Sequence, residues 1–320
     1  MGTFSASLTL AEDASLGVYA IVARSAGEAF ERTFQVTAYR PPEFEAQVIP
    51  DAVEIQRGDD LSVTVRASYL FGGPLPNAPV RWNILAHPHR FTPPGRGQYS
   101  FHQARDPYTC FDCRWEGSYT SGQSIFSDSG QTDAEGNLAI TLDADRLEQL
   151  LPYAGANRLT IEAQVTGPDN QVIASRGALV VHPGAYYVGL SPRQYVSQAG
   201  DPLGIDVVAV DWQGEPLPDR SIRLQMHHHR WENVYVETEH GGYWESVPSE
   251  EPVDEVTVTT DELEHAAAAF TPPEGGSYQI VAMPVEPTRR SREVRSSLFV
   301  WVMGEEPVSW RRENHERIPG

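Results

Sequence analysis

The chain has 320 residues, with 24 basic against 44 acidic side chains, a net charge of −20 and a hydrophobic fraction of 40%. Such an acidic surface repels phosphate backbones and anionic headgroups, which argues against nucleic acid and peripheral membrane partners. No apolar run approaches the ~20 residues that span a bilayer, so no direct membrane insertion is expected.

Its 26 Gly and 25 Pro predict many turns and few long helices. The start, Met1-Gly-Thr-Phe-Ser, lacks the basic region and apolar core of a signal peptide. Residues 2–10 (GTFSASLTL) and 17–23 (GVYAIVA) read as two strands joined by a short loop. Tyr39-Arg-Pro-Pro-Glu-Phe44 then reads as a linker, because both prolines restrict φ and bias their predecessors to extended backbone.

Residues 58–82 and 200–224 align without a gap at an offset of 142. Val63, Val65 and Ala67 meet Ile205, Val207 and Ala209, each set a period-2 apolar face typical of a half-buried strand. Pro74-Leu-Pro76 meets Pro216-Leu-Pro218; prolines lack the ladder donor, so both segments are turns. Val80-x-Trp82-x-Ile84 and Ile222-x-Leu224-x-Met226 open the next strands.

The back half of the unit recurs three times, as 132–140 with 159–165, 260–268 with 277–283, and 2–10 with 17–23. The last copy has no front half, so residues 1–40 are expected to be the back half of a domain. A full domain is expected at 41–183 and another at 184–304, with a polar tail at 305–320. Within the first full domain, residues 86–130, rich in Pro, Gly, Ser, His and aromatics, read as a long decorated hairpin or loop. Residues 143–151 predict one or two helical turns capped by Asp143 or Asp145. All else reads as short strands between turns, hence an all-β fold of tandem antiparallel β-sandwiches, Ig- or fibronectin-like in build.

Phe34-x-Val36-x-x-Tyr39, then Arg40-x-Pro42-Glu43-Phe44, then Ala67-x-Tyr69-x-Phe71-Gly72-x-Pro74 stand in order across one boundary. This resembles the macroglobulin-domain arrays of the alpha-2-macroglobulin and complement superfamily. The ending Phe299-Val-Trp-Val-x-Gly304, followed by Trp310-Arg-Arg-Glu-Asn, resembles bacterial members. The resemblance implies macroglobulin-type sandwiches in an extracytoplasmic protein, periplasmic or at the cell surface, with a signal sequence outside this segment. It implies a broad-spectrum endopeptidase inhibitor, in which a bait segment is cut and an exposed thioester captures the attacker. The implied partners are further macroglobulin domains of the parent chain and, through the parent, endopeptidases. The thioester motif Cys-x-Glu-Gln fits neither Cys110 nor Cys113, so this segment would be non-catalytic scaffold without a cofactor.

Cys110-Phe-Asp-Cys113 reads as a local disulfide pinning the insertion in an oxidising envelope. Free thiols, a zinc site with His87, His89 or His102, and a redox pair are the alternatives. His227-His-His229 alternates along a strand and reads as a solvated edge face rather than a metal site. Trp82, Trp212 and Trp301 read as core or junction packing, and Asp59 and Asp201 as turn residues. The competing function is an adhesin-like or carbohydrate-binding sandwich array. No nucleophile elbow, zincin motif, phosphate loop or dinucleotide fingerprint is present.

Overall fold

The computed structural model describes residues 5–305 apart from 12, 26, 38–40, 105–121, 239–240, 263–264, 289–290 and 292. The chain divides into two compact units, 1–43 and 44–320.

The first unit is a hairpin of β1 (Gly17–Ser25) and β2 (Glu28–Val36). Its apolar side chains Val18, Ile21, Val22 and Phe30 are exposed. Residues 5–10, expected as a strand, carry none. Their counterparts further along the chain are strands because a neighbour pairs with each, and no such neighbour is placed beside 5–10 among the described residues.

The second unit holds two sandwiches in succession, antiparallel except where the short strands β4 (Glu54–Gln56) and β12 (Val196–Gln198) pair in parallel with β10 (Val172–His182) and β18 (Ser296–Met303). The first pairs a three-stranded sheet with a five-stranded one. The smaller sheet runs β3 (Phe44–Pro50), β5 (Leu61–Tyr69), β8 (Asn137–Leu142). The larger runs β4 (Glu54–Gln56), β10 (Val172–His182), β9 (Asn157–Thr166), β6 (Pro79–Pro88), β7 (Gln123–Gln131). Between them lie Val63, Val65, Ile84, Ile161 and Val165, the inward members of period-2 strands. Helix α1 (Ala144–Leu150) is capped by Asp143, whose carboxylate accepts from the Arg146 N–H at 2.8 Å. Leu147 anchors it in the core.

The second sandwich repeats this order strand for strand. Its small sheet is β11 (Tyr187–Pro192), β13 (Leu203–Val210), β16 (His265–Phe270). Its large sheet is β12 (Val196–Gln198), β18 (Ser296–Met303), β17 (Gly276–Pro284), β14 (Ser221–Thr238), β15 (Gly241–Thr259). The repeat holds at the level of single hydrogen bonds. Leu75 N donates to Ala67 O at 3.0 Å and Leu217 N to Ala209 O at 2.9 Å, an offset of 142 in both atoms. Gly72 and Gly214 both sit at positive φ, +100° and +87°, to close the turn ahead of the prolines.

The copies differ in the loop between the fourth and fifth strands of the repeat. In the first sandwich β6 stops at Pro88, and Pro93-Pro94 follow, so no ladder continues. In the second, the β-forming run Val234-Tyr-Val236 carries β14 on, and the two strands continue well beyond the end of β17. Residues 123–130, expected inside the insertion, belong to strand β7 (Gln123–Gln131); their run Gln-Ser-Ile-Phe-Ser-Asp-Ser lacks clean alternation and takes its register from β6. β15 is an edge strand of 19 residues. Glu250, Glu251, Pro252, Asp254 and Glu255 line it, charge and proline that discourage edge-to-edge pairing.

Candidate functional site at the junction of the sandwiches

Among the described residues, a cluster of aromatic and titratable groups lies where the first sandwich meets the second. His182 ends β10 and is 1% exposed. Its Nδ1 lies 2.7 Å from the Tyr187 hydroxyl at the start of β11, and its Nε2 lies 3.4 Å from Glu54 Oε1 on β4. The Trp212 indole stacks on the imidazole, with centroids 4.4 Å apart and planes at 12°. Trp212 Nε1 donates to Gly184 O at 2.8 Å, which fixes the indole against the connecting turn.

Burial pushes the His182 pKa down to about 4; nearby Glu54 opposes this, and His89 adds slightly to it. Burial likewise raises the Tyr187 phenol far above its ordinary range. The pair is therefore neutral, joined by one hydrogen bond between the phenol and the imidazole Nδ1.

A strap from the first sandwich closes over this pair. Residues 89–104 leave β6 and run onto the second sandwich. Ser100 and Leu190 exchange backbone hydrogen bonds at 2.8 and 3.0 Å, so the strap adds a short rung to the free edge of β11. Ser297 N donates to His102 O at 3.0 Å, and Ala104 N to Ser297 Oγ at 2.8 Å. Phe91 stacks on Tyr187 at 3.9 Å, and Phe101 packs edge-on against Phe91. With Ala156, Val208 and Val210 they form a core of their own. Residues 89–104 thus help to tie the two sandwiches together.

Beneath the junction, buried Arg57 reaches Glu148 of α1 at 2.8 Å and donates to the Tyr153 carbonyl. Arg57 N also donates to His182 O at 2.9 Å, which links the helix to the junction.

A second cluster lies where β14 leaves the sandwich. His228 points into the core and stacks on Tyr278 at 4.4 Å. Arg230 Nε donates to His228 Nδ1 at 3.1 Å, and its guanidinium pairs with Glu274. Burial and that guanidinium lower the His228 pKa, and Glu274 Oε1 lies 3.1 Å from His228 Nδ1 as well as against the arginine. His227 and His229 face the other way, as alternation predicts, but β14 is flanked on both sides and is not an edge. His229 packs on Phe299 and faces Glu250 at 3.3 Å.

Asp59 fills its expected turn role, accepting from Gln56 N at 3.1 Å. Trp82 lies in the first core and Trp212 at the junction, as expected. Cys110 and Cys113 fall outside the described residues. Among the described residues no group of three or more His, Cys, Asp or Glu could hold a metal ion, and no helix is long and apolar enough to cross a membrane. Sequence reasoning placed a boundary between residues 183 and 184 but missed His182, Tyr187 and the strap, because a single inward His at a strand end has no periodic signature.

This geometry, a doubled sandwich with identical strand order, can be set beside known proteins. Residues 189–302 match the family described as Bacterial macroglobulin domain 6. An alpha-2-macroglobulin homolog of Nostoc sp. is 23% identical over 317 residues, 97% of this chain. The second sandwich thus matches a bacterial macroglobulin domain, and the chain as a whole resembles bacterial alpha-2-macroglobulins. It spans 15% of the length of that Nostoc relative. In fold it is similar to the native conformation of E. coli alpha-2-macroglobulin, with TM-score 0.55, 14% identity and coverage of 91% of this chain and 18% of that one. It is equally similar to the Escherichia coli protein activated by porcine elastase, with TM-score 0.54, 14% identity and coverage of 92% and 25%. The two macroglobulin-type sandwiches and their junction therefore sit within a known β-sandwich architecture.

Proposed function

We propose that this chain is non-catalytic scaffold of a bacterial alpha-2-macroglobulin-type endopeptidase inhibitor, exported to the periplasm or cell surface. The observation that carries the reading is the junction: aromatic, backbone and polar contacts tie two successive domains into one body, which is what a load-transmitting frame requires. The likeness along 97% of the chain to an alpha-2-macroglobulin homolog supports it. In this reading residues 41–183 and 184–304 are complete domains, 305–320 a linker, and 1–40 the back half of another domain. The hairpin supports the last point. Gly17 has φ +153° and Gly276 +148° at matching strand starts, and Ile21 is exposed where its counterpart Ile280 is fully buried. The neighbours are other macroglobulin domains of the parent, and the endopeptidases are met by the parent as a whole.

The test is to express the complete reading frame and mix it with trypsin or elastase. Loss of cleavage of a large protein substrate with retained cleavage of a small peptide is the expected outcome. Unchanged cleavage of both would overturn the reading. The carbohydrate-binding alternative gains little from the structure, since Trp82 and Trp212 are both committed to packing.

A further inference from the structure

The strap of the first sandwich and the long hairpin of the second occupy one position in the repeat. Both link the fourth strand to the fifth. β6 ends at Pro88, which at the offset of 142 corresponds to Arg230, where β14 passes beyond its last rung with β17, His229 to Ser277. Beyond that rung β14 and β15 pair with each other down to Thr238 and Gly241. A two-stranded ribbon exposed on both faces is marginal alone and needs a third strand or a packing partner. Val234, Tyr235, Tyr243 and Val247 are 40 to 52% exposed along it.

The direction is also shared. β6 and β10 both run antiparallel to β9, so the strap leaves the sheet at the end where β10 hands the chain to the second sandwich. β14 and β18 both run antiparallel to β17, so the ribbon leaves at the end where β18 hands the chain onward. In the first sandwich that loop is seated on the next domain, with Ser100 on the edge of β11 and Phe91 and Phe101 over Tyr187.

We propose that the β14–β15 ribbon is a second strap, seated on the β-sandwich that follows this one in the parent chain. It would offer that domain what Phe91 and Phe101 of the first strap offer β11, apolar side chains to cover the domain's first strand. The inference rests on the array reading of the preceding section and adds an interface to it.

Amide hydrogen exchange, compared between the complete reading frame and the 320-residue chain, tests it. Residues 232–236 and 243–247 are expected to exchange about tenfold or more slowly in the longer protein. Tyr243→Glu in the longer protein should restore fast exchange there while leaving the buried strands β9 and β17 protected. If a sandwich follows and is folded, yet the ribbon exchanges equally fast in both proteins, the strap is wrong and the array reading stands. Equal protection in Tyr243→Glu and the parent protein would also overturn the apolar seating. If no sandwich follows Gly320 in the reading frame, the array reading fails and the strap with it.

Discussion

Tyr19 and Tyr278 make the same hydrogen bond in different parts of the chain. Each hydroxyl donates to the carbonyl four residues upstream, Ser15 at 2.7 Å and Glu274 at 3.0 Å. Each stands two residues after a glycine of similar φ, at the start of a strand whose alternate residues are apolar. A phenol tied back to the backbone at a strand entry pins the corner of a sandwich. In the first sandwich Leu159 stands there, and Asn157 takes over the tie, its Nδ2 donating to Tyr153 O at 2.8 Å, again four residues upstream.

The two tyrosines should respond differently to loss of the hydroxyl. Tyr278 is fully buried, so Tyr278→Phe leaves a carbonyl short of a partner and should cost about 1–2 kcal/mol in urea melts. At the more exposed Tyr19, water replaces the hydroxyl, and Tyr19→Phe should change stability by less than about 0.5 kcal/mol.

Acid should loosen the junction through His182. Its folded pKa of about 4 lies below the unfolded value near 6.5, so the unfolded state binds the proton first. The contribution is complete above pH 6.5 and is lost as pH falls from there toward 4. The gap is worth about 3 kcal/mol at its limit. Trp212 fluorescence should report it, since a charged imidazole under the indole alters its emission. His182→Phe should flatten the stability change across that window; an unchanged pH profile in the variant would assign it to other groups.

Removing the anchor of the strap should separate the sandwiches without unfolding either. Phe101→Ala opens the small junction core and should weaken it by about 3 kcal/mol. Calorimetry should then show one transition split into two, with the cores around Val65 and Val207 intact.

The buried ion pair under the junction should be asymmetric to mutation. Glu148→Ala strands the Arg57 guanidinium in a buried site and should cost about 3 kcal/mol. Arg57→Met together with Glu148→Leu removes both charges and should recover most of that loss in thermal melts.

Much of the frame was readable before the structure. The offset of 142 placed Val63 opposite Ile205 and Leu75 opposite Leu217, and these pairs hold equivalent sites because period-2 burial and proline turns are local signals. The helix cap was readable as Asp143 or Asp145 for the same reason, and Asp143 is the one that caps. Strand β7 was not, because its polar run is held by pairing with β6 rather than by its own pattern. The His triplet was placed on an edge because nothing in its neighbourhood announces β17 some fifty residues later. The junction was least legible of all: Phe91, Tyr187 and Trp212 belong to three separate segments, and only tertiary contact makes them one site.

The strap also orders events in time. The edge of β11 is completed by residues 89–104, which emerge from the ribosome before any strand of the second sandwich exists. At roughly 5–20 residues per second, the first sandwich has several seconds in which to collapse and present Ser100 and Phe101 before the last strand of the second is made. The later domain therefore folds onto a template laid down by its predecessor, and a defect in the earlier segment is inherited downstream.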